Sequence, residues 1–405
     1  MQSSKCKEIL PAERVQNVTE YFFSKKLREV AALRAQGMDI ISLGIGGPDR
    51  PPHAKVIERL CDESHRADTH SYQPYVGIPE LRESFASWYE RSYGVKLDPA
   101  TEIQPLIGSK EGILHTTLAF VNKGDGVLVP NPGYPTYTSV SNLAQAEIFT
   151  YDLCEENGWQ PDFEALERLP LERIKLMWVN YPNMPTGARA TKETMQRLVD
   201  FGRRHGIVIC NDNPYSFILN DQPESLLSIE GAKDVCIEMN SLSKSHNMAG
   251  WRVGMLASNK QFIEWILRVK SNIDSGMFRP VQLAAVEALG CDDEWYTELN
   301  AEYAERRKIA EQIMDTIGCT YDPNQVGLFL WGKVPESLDS GVQVADALLY
   351  ELGIFVTPGV VFGSNGNRYI RISLCATQER MREALERATN AKSSLANIMA
   401  KYRNK

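Results

Sequence analysis

Short apolar runs recur along the middle of the chain: VLVP (127–130), IKLMWVN (174–180), IVICN (207–211), VCIEM (235–239) and GMLAS (254–258). They are continuous rather than alternating, which predicts strands buried on both faces. Between two of them, TKETMQRLVDFGRRHG (191–206) sets Met195, Leu198 and Val199 on one helical face and stops at Gly206. Strand–helix–strand alternation predicts an α/β fold, a mainly parallel sheet with helices on both faces, over roughly residues 50–290. The ends differ. Residues 12–36 and 294–316 are helical in pattern, 377–402 reads as one long polar-faced helix, and GLFLWGKV (327–334) and RYIRISLC (368–375) read as short strands. The expected organisation is a large domain over 48–290 and a smaller α+β domain made of 1–47 and 291–405.

Composition narrows the classes. The 405 residues are 43% hydrophobic and 24% charged, which excludes wholesale disorder and leaves room for two cores. A net charge of −8 with no basic stripe argues against nucleic acid or an anionic membrane as partner. No run approaches the ~18 apolar residues of a membrane span, and the first residues lack the apolar core of a secretory signal. Cys6, Cys61, Cys154, Cys210, Cys236, Cys291, Cys319 and Cys375 are scattered, with no CxxC pair. Scattered thiols suit a reducing compartment and speak against a zinc site. The expectation is a soluble cytoplasmic protein without a metal.

The segments with chemical potential all follow predicted strands, where open α/β sheets place their ligand loops. NSLSKSHNMAGWRVG (240–254) offers Ser241, Ser243, Lys244 and Arg252. Two hydroxyls, a lysine and an arginine suit an anionic ligand whose aldehyde the lysine could capture; a solvated loop with ordinary charges is the plainer alternative. NDNPYSF (211–217) presents Asp212 and Tyr215, and NPGYPTY (131–137) presents Tyr134 in a Pro/Gly turn. IGSKEG (107–112) runs into an apolar helix whose first N–H groups, near Ser109 and Lys110, could bind phosphate. NYPNMPTG (180–187) forms a further turn.

In this order, the segments resemble the fold-type I pyridoxal-phosphate enzymes, specifically the class I/II aminotransferases. The resemblance runs from ISLGIGGPD (41–49) to YIRIS (369–373), nearly the whole chain. Within the family, THSYQPYVGIPELR, IGSKEG, LVPNPGYP, LSKSHNMAGWR and KSNID look closest to bacterial alanine (glutamate–pyruvate) aminotransferases, with LL-diaminopimelate and aspartate aminotransferases more distant. The resemblance implies the following roles. Lys244 would bond the cofactor aldehyde and, once freed, carry the proton. Asp212 would pair with the pyridine nitrogen, Tyr215 with the phenolic oxygen, and Tyr134 would cover the ring face. Ser109, Lys110, Ser241, Ser243 and Arg252 would hold the phosphate. Tyr72 would reach the phosphate of a partner subunit, which implies a homodimer with shared sites. Arg371 would grip the substrate α-carboxylate, assisted by the N–H of Gly46.

One position departs from the family. Its NPTG turn has Met184 here, and a thioether cannot donate the hydrogen bond that the family asparagine gives the phenolic oxygen. Asn183 is taken as the replacement, with Asn180 or Tyr215 alone as alternatives. His246 reads as a surface or supporting residue. Arg279 reads as a surface arginine, or as one reaching a neighbouring subunit's pocket to bind a distal carboxylate. Tyr21 and Phe22 would close over substrate or merely pack. The expected activity is transfer of an amino group between an alanine-, aspartate- or glutamate-like amino acid and a 2-oxo acid such as 2-oxoglutarate. LL-diaminopimelate transamination and β-elimination on the same scaffold stand as alternatives. A non-catalytic amino-acid sensor is disfavoured, because related regulators carry a DNA-binding segment ahead of this fold and the stretch before ISLGIGGPD is not basic.

Overall fold

The structure is a computed structural model that describes residues 8–16, 18, 20 and 22–403. A seven-stranded sheet runs in the order Ile103–Leu106, Gly254–Ala257, Cys236–Ser241, Val208–Asp212, Ile174–Val179, Gly126–Asn131, Glu147–Asp152. All neighbours are parallel except Gly254–Ala257, which is antiparallel to both of its partners. The five expected strands are present. Their continuous apolar character has a simple cause: alternate residues feed two separate cores. Val127, Val129, Leu176, Trp178, Val208 and Cys210 face one core, whereas Leu128, Met177, Val179 and Ile209 face the other.

Two strands of this sheet are not marked in the sequence, and both are its edges. Ile103–Leu106 contains Pro105, which cannot donate to a ladder and is tolerated because this strand pairs on one side only. Glu147–Asp152 is largely exposed and lacks an apolar run. The helix between the second and third predicted strands spans Lys192–His205. The Thr191 side chain accepts the Thr194 N–H at 3.0 Å, Arg203, Arg204 and His205 fill the last turn, and Gly206 caps it at φ +66°.

The C-terminal third builds an antiparallel sheet of Thr357–Pro358, Tyr369–Ser373 and Phe329–Lys333. The early segment Ile41–Ser42 joins this part of the chain by pairing in parallel with Ile354–Phe355. The helix expected over 377–402 is two helices, Gln378–Asn390 and Leu395–Ala400. The Ser394 hydroxyl donates to the Ala391 carbonyl at 2.9 Å between them, a local bond that competes with helix continuation. The 12–36 segment is likewise two helices, Glu13–Gln16 and Phe22–Ala35. No helix among the described residues is long and apolar enough to cross a membrane.

Candidate active site

A cavity of about 340 Å³ opens where the carboxyl ends of the parallel strands meet the C-terminal sheet. Gly46, Ser109, Lys110, Tyr134, Asp212, Tyr215, Ser241, Ser243, Lys244, Arg252 and Arg371 all line it. These residues span most of the chain; those of the large sheet reach one place because they follow or end its strands, and Arg371 faces them from the middle of the strand Tyr369–Ser373.

Lys244 sits in the short helix Leu242–Ser245 directly after the strand Cys236–Ser241. Its Nζ donates to the carbonyl of Gly46 at 2.5 Å, so Gly46 meets the lysine through its oxygen. Burial lowers the Lys244 pKa; the nearby Arg371 and Arg252 add to this, and Cys375 and Asp212 oppose it. Asp212 ends its strand and is 5% exposed. Its Oδ2 accepts the Tyr137 hydroxyl at 3.0 Å, and its Oδ1 is buried with no hydrogen-bond partner in the protein. A buried carboxylate oxygen without a donor, on the wall of a cavity, calls for a cationic or N–H partner from a ligand.

Burial pushes the Asp212 carboxyl up to about 6, against the Tyr137 hydrogen bond and the charge of Lys244. The folded value exceeds the unfolded one, so Asp212 holds a proton in the folded chain that the unfolded chain has lost between roughly pH 4 and 6. Its favourable contribution is complete below that window and lost above it. Asp212→Asn is therefore expected to stabilise the cofactor-free protein at about pH 8, on the order of 2 kcal/mol, with the gain vanishing near pH 4. Melting of both cofactor-free proteins at the two pH values checks this, and an equal shift at both would place the cost elsewhere.

At the other end, the helix Ser109–Phe120 begins beside Arg252. Gly108 is at φ +79°, and a Cβ there would stand 2.0 Å from Arg252 Nη2; only glycine lets the guanidinium lie against this helix start. Arg252 is itself left-handed at φ +58°, a conformation that costs a non-glycine residue about 1 kcal/mol and recurs at functional sites. Ser241 Oγ donates to Ser243 Oγ at 2.9 Å in the same corner. A helix N-terminus, two hydroxyls and a guanidinium form a cradle for a phosphate.

Arg371 is 3% exposed, and its guanidinium lies 3.9 Å from the Phe329 ring centroid and 4.6 Å from that of Phe362. Nη2 donates to the Gly44 carbonyl at 2.9 Å, and Nη1 to the Met184 sulfur at 3.1 Å. The residue that departs from the aminotransferase pattern thus touches the arginine. Asn183 is not among the residues that line the cavity, and its Nδ2 is buried with no hydrogen-bond partner in the protein. Its Oδ1 accepts the Thr186 hydroxyl at 2.8 Å, which ties the side chain into its own turn. Asn180 lines the cavity instead, donating to the Asp212 carbonyl and accepting the Met184 N–H at 2.7 Å.

A model of the family "aminotransferase class I and II" matches residues 38–387. The chain belongs to the class I and II aminotransferases. It is a transaminase, and like the family it uses pyridoxal phosphate. LL-diaminopimelate aminotransferase of Dehalococcoides mccartyi is 40% identical over 94% of this chain and 99% of its own length. That of Nitratidesulfovibrio vulgaris is 41% identical over 94% and 98%. Among solved structures, apo-BacF from Bacillus subtilis superposes with a TM-score of 0.91 at 36% identity, covering 95% of this chain and 99% of that one. Aspartate aminotransferase from Thermus thermophilus with maleate gives 0.87 at 26% identity, covering 95% and 100%. These relatives favour the LL-diaminopimelate alternative over the alanine-type pattern. The cavity fits the cofactor: the cradle suits its phosphate, and the partnerless Asp212 oxygen suits its protonated ring nitrogen.

Several aminotransferase cavity residues were not picked out from the sequence. Tyr137, one turn beyond Tyr134, stacks on Trp178 at 5.0 Å while donating to Asp212. Phe23, Leu27, Phe329 and Phe362 supply an apolar wall. Tyr21 lies outside the described residues, and Phe22 contacts the ring of Phe23 rather than the cavity. His246 is 1% exposed, between the Ser245 hydroxyl at 2.9 Å and the Tyr296 hydroxyl at 3.1 Å, and burial holds its pKa down at about 3. It supports the lysine-bearing turn as a neutral ring. Arg279 pairs with Glu80 at 3.8 Å, and Tyr72 is 91% exposed; neither lines this cavity.

Proposed function

We propose that this transaminase takes LL-diaminopimelate as amino donor and 2-oxoglutarate as acceptor, working as a homodimer. What carries the substrate is the agreement of relatives 40–41% identical over nearly their whole length, all named for that compound. The geometry supports a long donor. Arg371 would hold the α-carboxylate, and Phe23, Leu27, Phe329 and Phe362 would pack against methylenes beyond it. The distal charged end would then reach the mouth of the cavity, where Arg279 of a second copy is the candidate reader of a carboxylate. Residues 48–290 would act as one domain against 1–47 with 291–405.

When bound, pyridoxal phosphate supplies an aldehyde that condenses with amines and a ring that accepts electrons from the neighbouring C–H bond. Asp212, steadied by Tyr137, would hold the proton on the ring nitrogen. Tyr215 would donate to the phenolic oxygen and Tyr134 would cover the ring, with Asn180 rather than Asn183 in that neighbourhood. Ser109, Lys110, Ser241, Ser243 and Arg252 would bind the phosphate, completed by Tyr72 of a second copy. Lys244 Nζ, its pKa lowered by burial, would take the proton from the substrate carbon and return it. Gly46 would border the carboxylate beside Arg371.

A donor panel tests the proposal. With 2-oxoglutarate as acceptor, LL-diaminopimelate is expected to exceed alanine and aspartate in kcat/KM by at least about tenfold, the 1–2 kcal/mol that specific pocket contacts supply. Higher kcat/KM for alanine or aspartate refutes the substrate. Ammonia and pyruvate released from a β-substituted amino acid without any oxo acid would favour the lyase.

A further inference from the structure

Behind the phosphate cradle lies a buried group of charges that the roles above leave unused. Lys270, the last residue of the helix Lys260–Lys270, is 2% exposed. Its Nζ donates to Glu111 Oε1 at 3.0 Å and to Asp274 Oδ2 at 2.5 Å. Glu111 is the third residue of the helix Ser109–Phe120, and its Oε1 also accepts the Ile107 N–H at 2.7 Å. It therefore fixes the backbone just ahead of Gly108, and with it the direction of the first N–H groups of the cradle.

On the other side, Asp274 Oδ1 accepts the Gly276 N–H at 3.1 Å. Gly276, at φ +84°, presses on the loop that carries Tyr72: a Cβ there would stand 2.6 Å from the Gln73 carbonyl oxygen and 3.0 Å from that of Pro74. His115 closes the group, with Nε2 3.7 Å from Glu111 and 4.0 Å from Asp274. Glu111, His115 and Asp274 are close enough to hold a metal ion, but the Lys270 ammonium already stands between the two carboxylates.

We propose that Lys270 is a positioning residue that ties the phosphate-facing turn of one subunit to the loop offering Tyr72 to the other. The path is continuous: Ser109–Lys110 backbone, Glu111, Lys270, Asp274, Gly276, Gln73, Tyr72. A desolvated ammonium between two carboxylates keeps both elements in one register, and without its charge the carboxylates repel. The proposal rests on the phosphate reading above.

The test compares cofactor-free wild type, Asp274→Asn, Lys270→Met and Lys270→Arg, each titrated with pyridoxal phosphate and with pyridoxal, which has the same ring and aldehyde but no phosphate. Absorbance of the cofactor reports binding. Asp274→Asn and Lys270→Met are expected to weaken pyridoxal phosphate about tenfold while leaving pyridoxal unchanged, and Lys270→Arg to recover most of the loss. Asp274→Asn keeps the shape of the site, so it reports even where Lys270→Met does not fold. In a Tyr72→Phe background Asp274→Asn should cost less than it does alone, because both act through one loop. Equal losses for the two ligands, full additivity with Tyr72→Phe, or a lowered melting temperature with unchanged affinity would each overturn the proposal. Arg252→Ala separates the two layers. If it leaves pyridoxal phosphate affinity untouched, the phosphate reading fails; if it weakens that affinity while Asp274→Asn does not, only the role of Lys270 falls.

Discussion

Lys244→Ala is expected to lower transamination at least about a thousandfold while still binding pyridoxal phosphate without a covalent bond. In the proposed mechanism this lysine is the amine poised for proton transfer. It projects from the turn after the strand Cys236–Ser241, is buried, and reaches the Gly46 carbonyl across the cavity. Lys110 also lines the cavity, but at the helix start beside the phosphate cradle, the wrong end for the substrate carbon. Because burial lowers the Lys244 pKa, a larger fraction is neutral and able to accept a proton near neutral pH than for an exposed lysine. Alanine removes that acceptor and leaves Asp212, Tyr137 and the phosphate cradle in place. Turnover measures the loss. Borohydride reduction of the wild type followed by peptide mass analysis locates the cofactor, and a label on any other lysine would show the assignment to be wrong.

Arg371→Lys is expected to lower kcat/KM for every amino donor by a similar large factor, about 2–5 kcal/mol, or roughly thirtyfold to several thousandfold. The α-carboxylate is the group all donors and acceptors share, and holding it sets the reacting C–H bond across the ring, so the loss falls on rate as well as affinity. The guanidinium is wedged between Phe329 and Phe362 and held in plane by the Gly44 carbonyl and Met184 sulfur. A lysine ammonium has no plane for the two rings to sandwich and offers a carboxylate a point charge instead of a fork. The cofactor spectrum should be nearly unchanged. Loss confined to dicarboxylic donors, with alanine spared, would mean that Arg371 reads the distal carboxylate and that the pocket is inverted.

What could be read from the sequence followed the physics that is local in it. Strands buried on both faces announce themselves as unbroken apolar runs, and Lys244, Asp212, Tyr215 and Arg252 stood out because each follows such a run. Edge strands carry no such mark, so Ile103–Leu106 and Glu147–Asp152 were missed. Glu238 shows the opposite difficulty. A charge within a buried strand reads as an anomaly until Tyr89, Ser225, Asn211 and the Leu226 N–H are seen to meet it, two of them from distant segments. Asn183 and Asn180 are chemically the same within one turn; the Thr186 hydroxyl bonds Asn183 Oδ1, whereas Asn180 lines the cavity, and neither contact shows in the sequence. Tyr137 carried a usable signal, a second tyrosine one helical turn after Tyr134, but its partner Asp212 is remote in sequence.

The cavity wall runs from Phe23 to Arg371, and Arg371 sits on the central strand of the C-terminal sheet. The two halves of the site are therefore separated along the chain, with the lysine and the phosphate-facing residues first and the arginine last. Until Tyr369–Ser373 has been synthesised and paired, the carboxylate grip is missing and the apolar wall lacks its counterpart. A chain that stops before this strand would keep Lys244 and the phosphate-facing residues, which lie within 109–252, but would have no Arg371 with which to select a substrate.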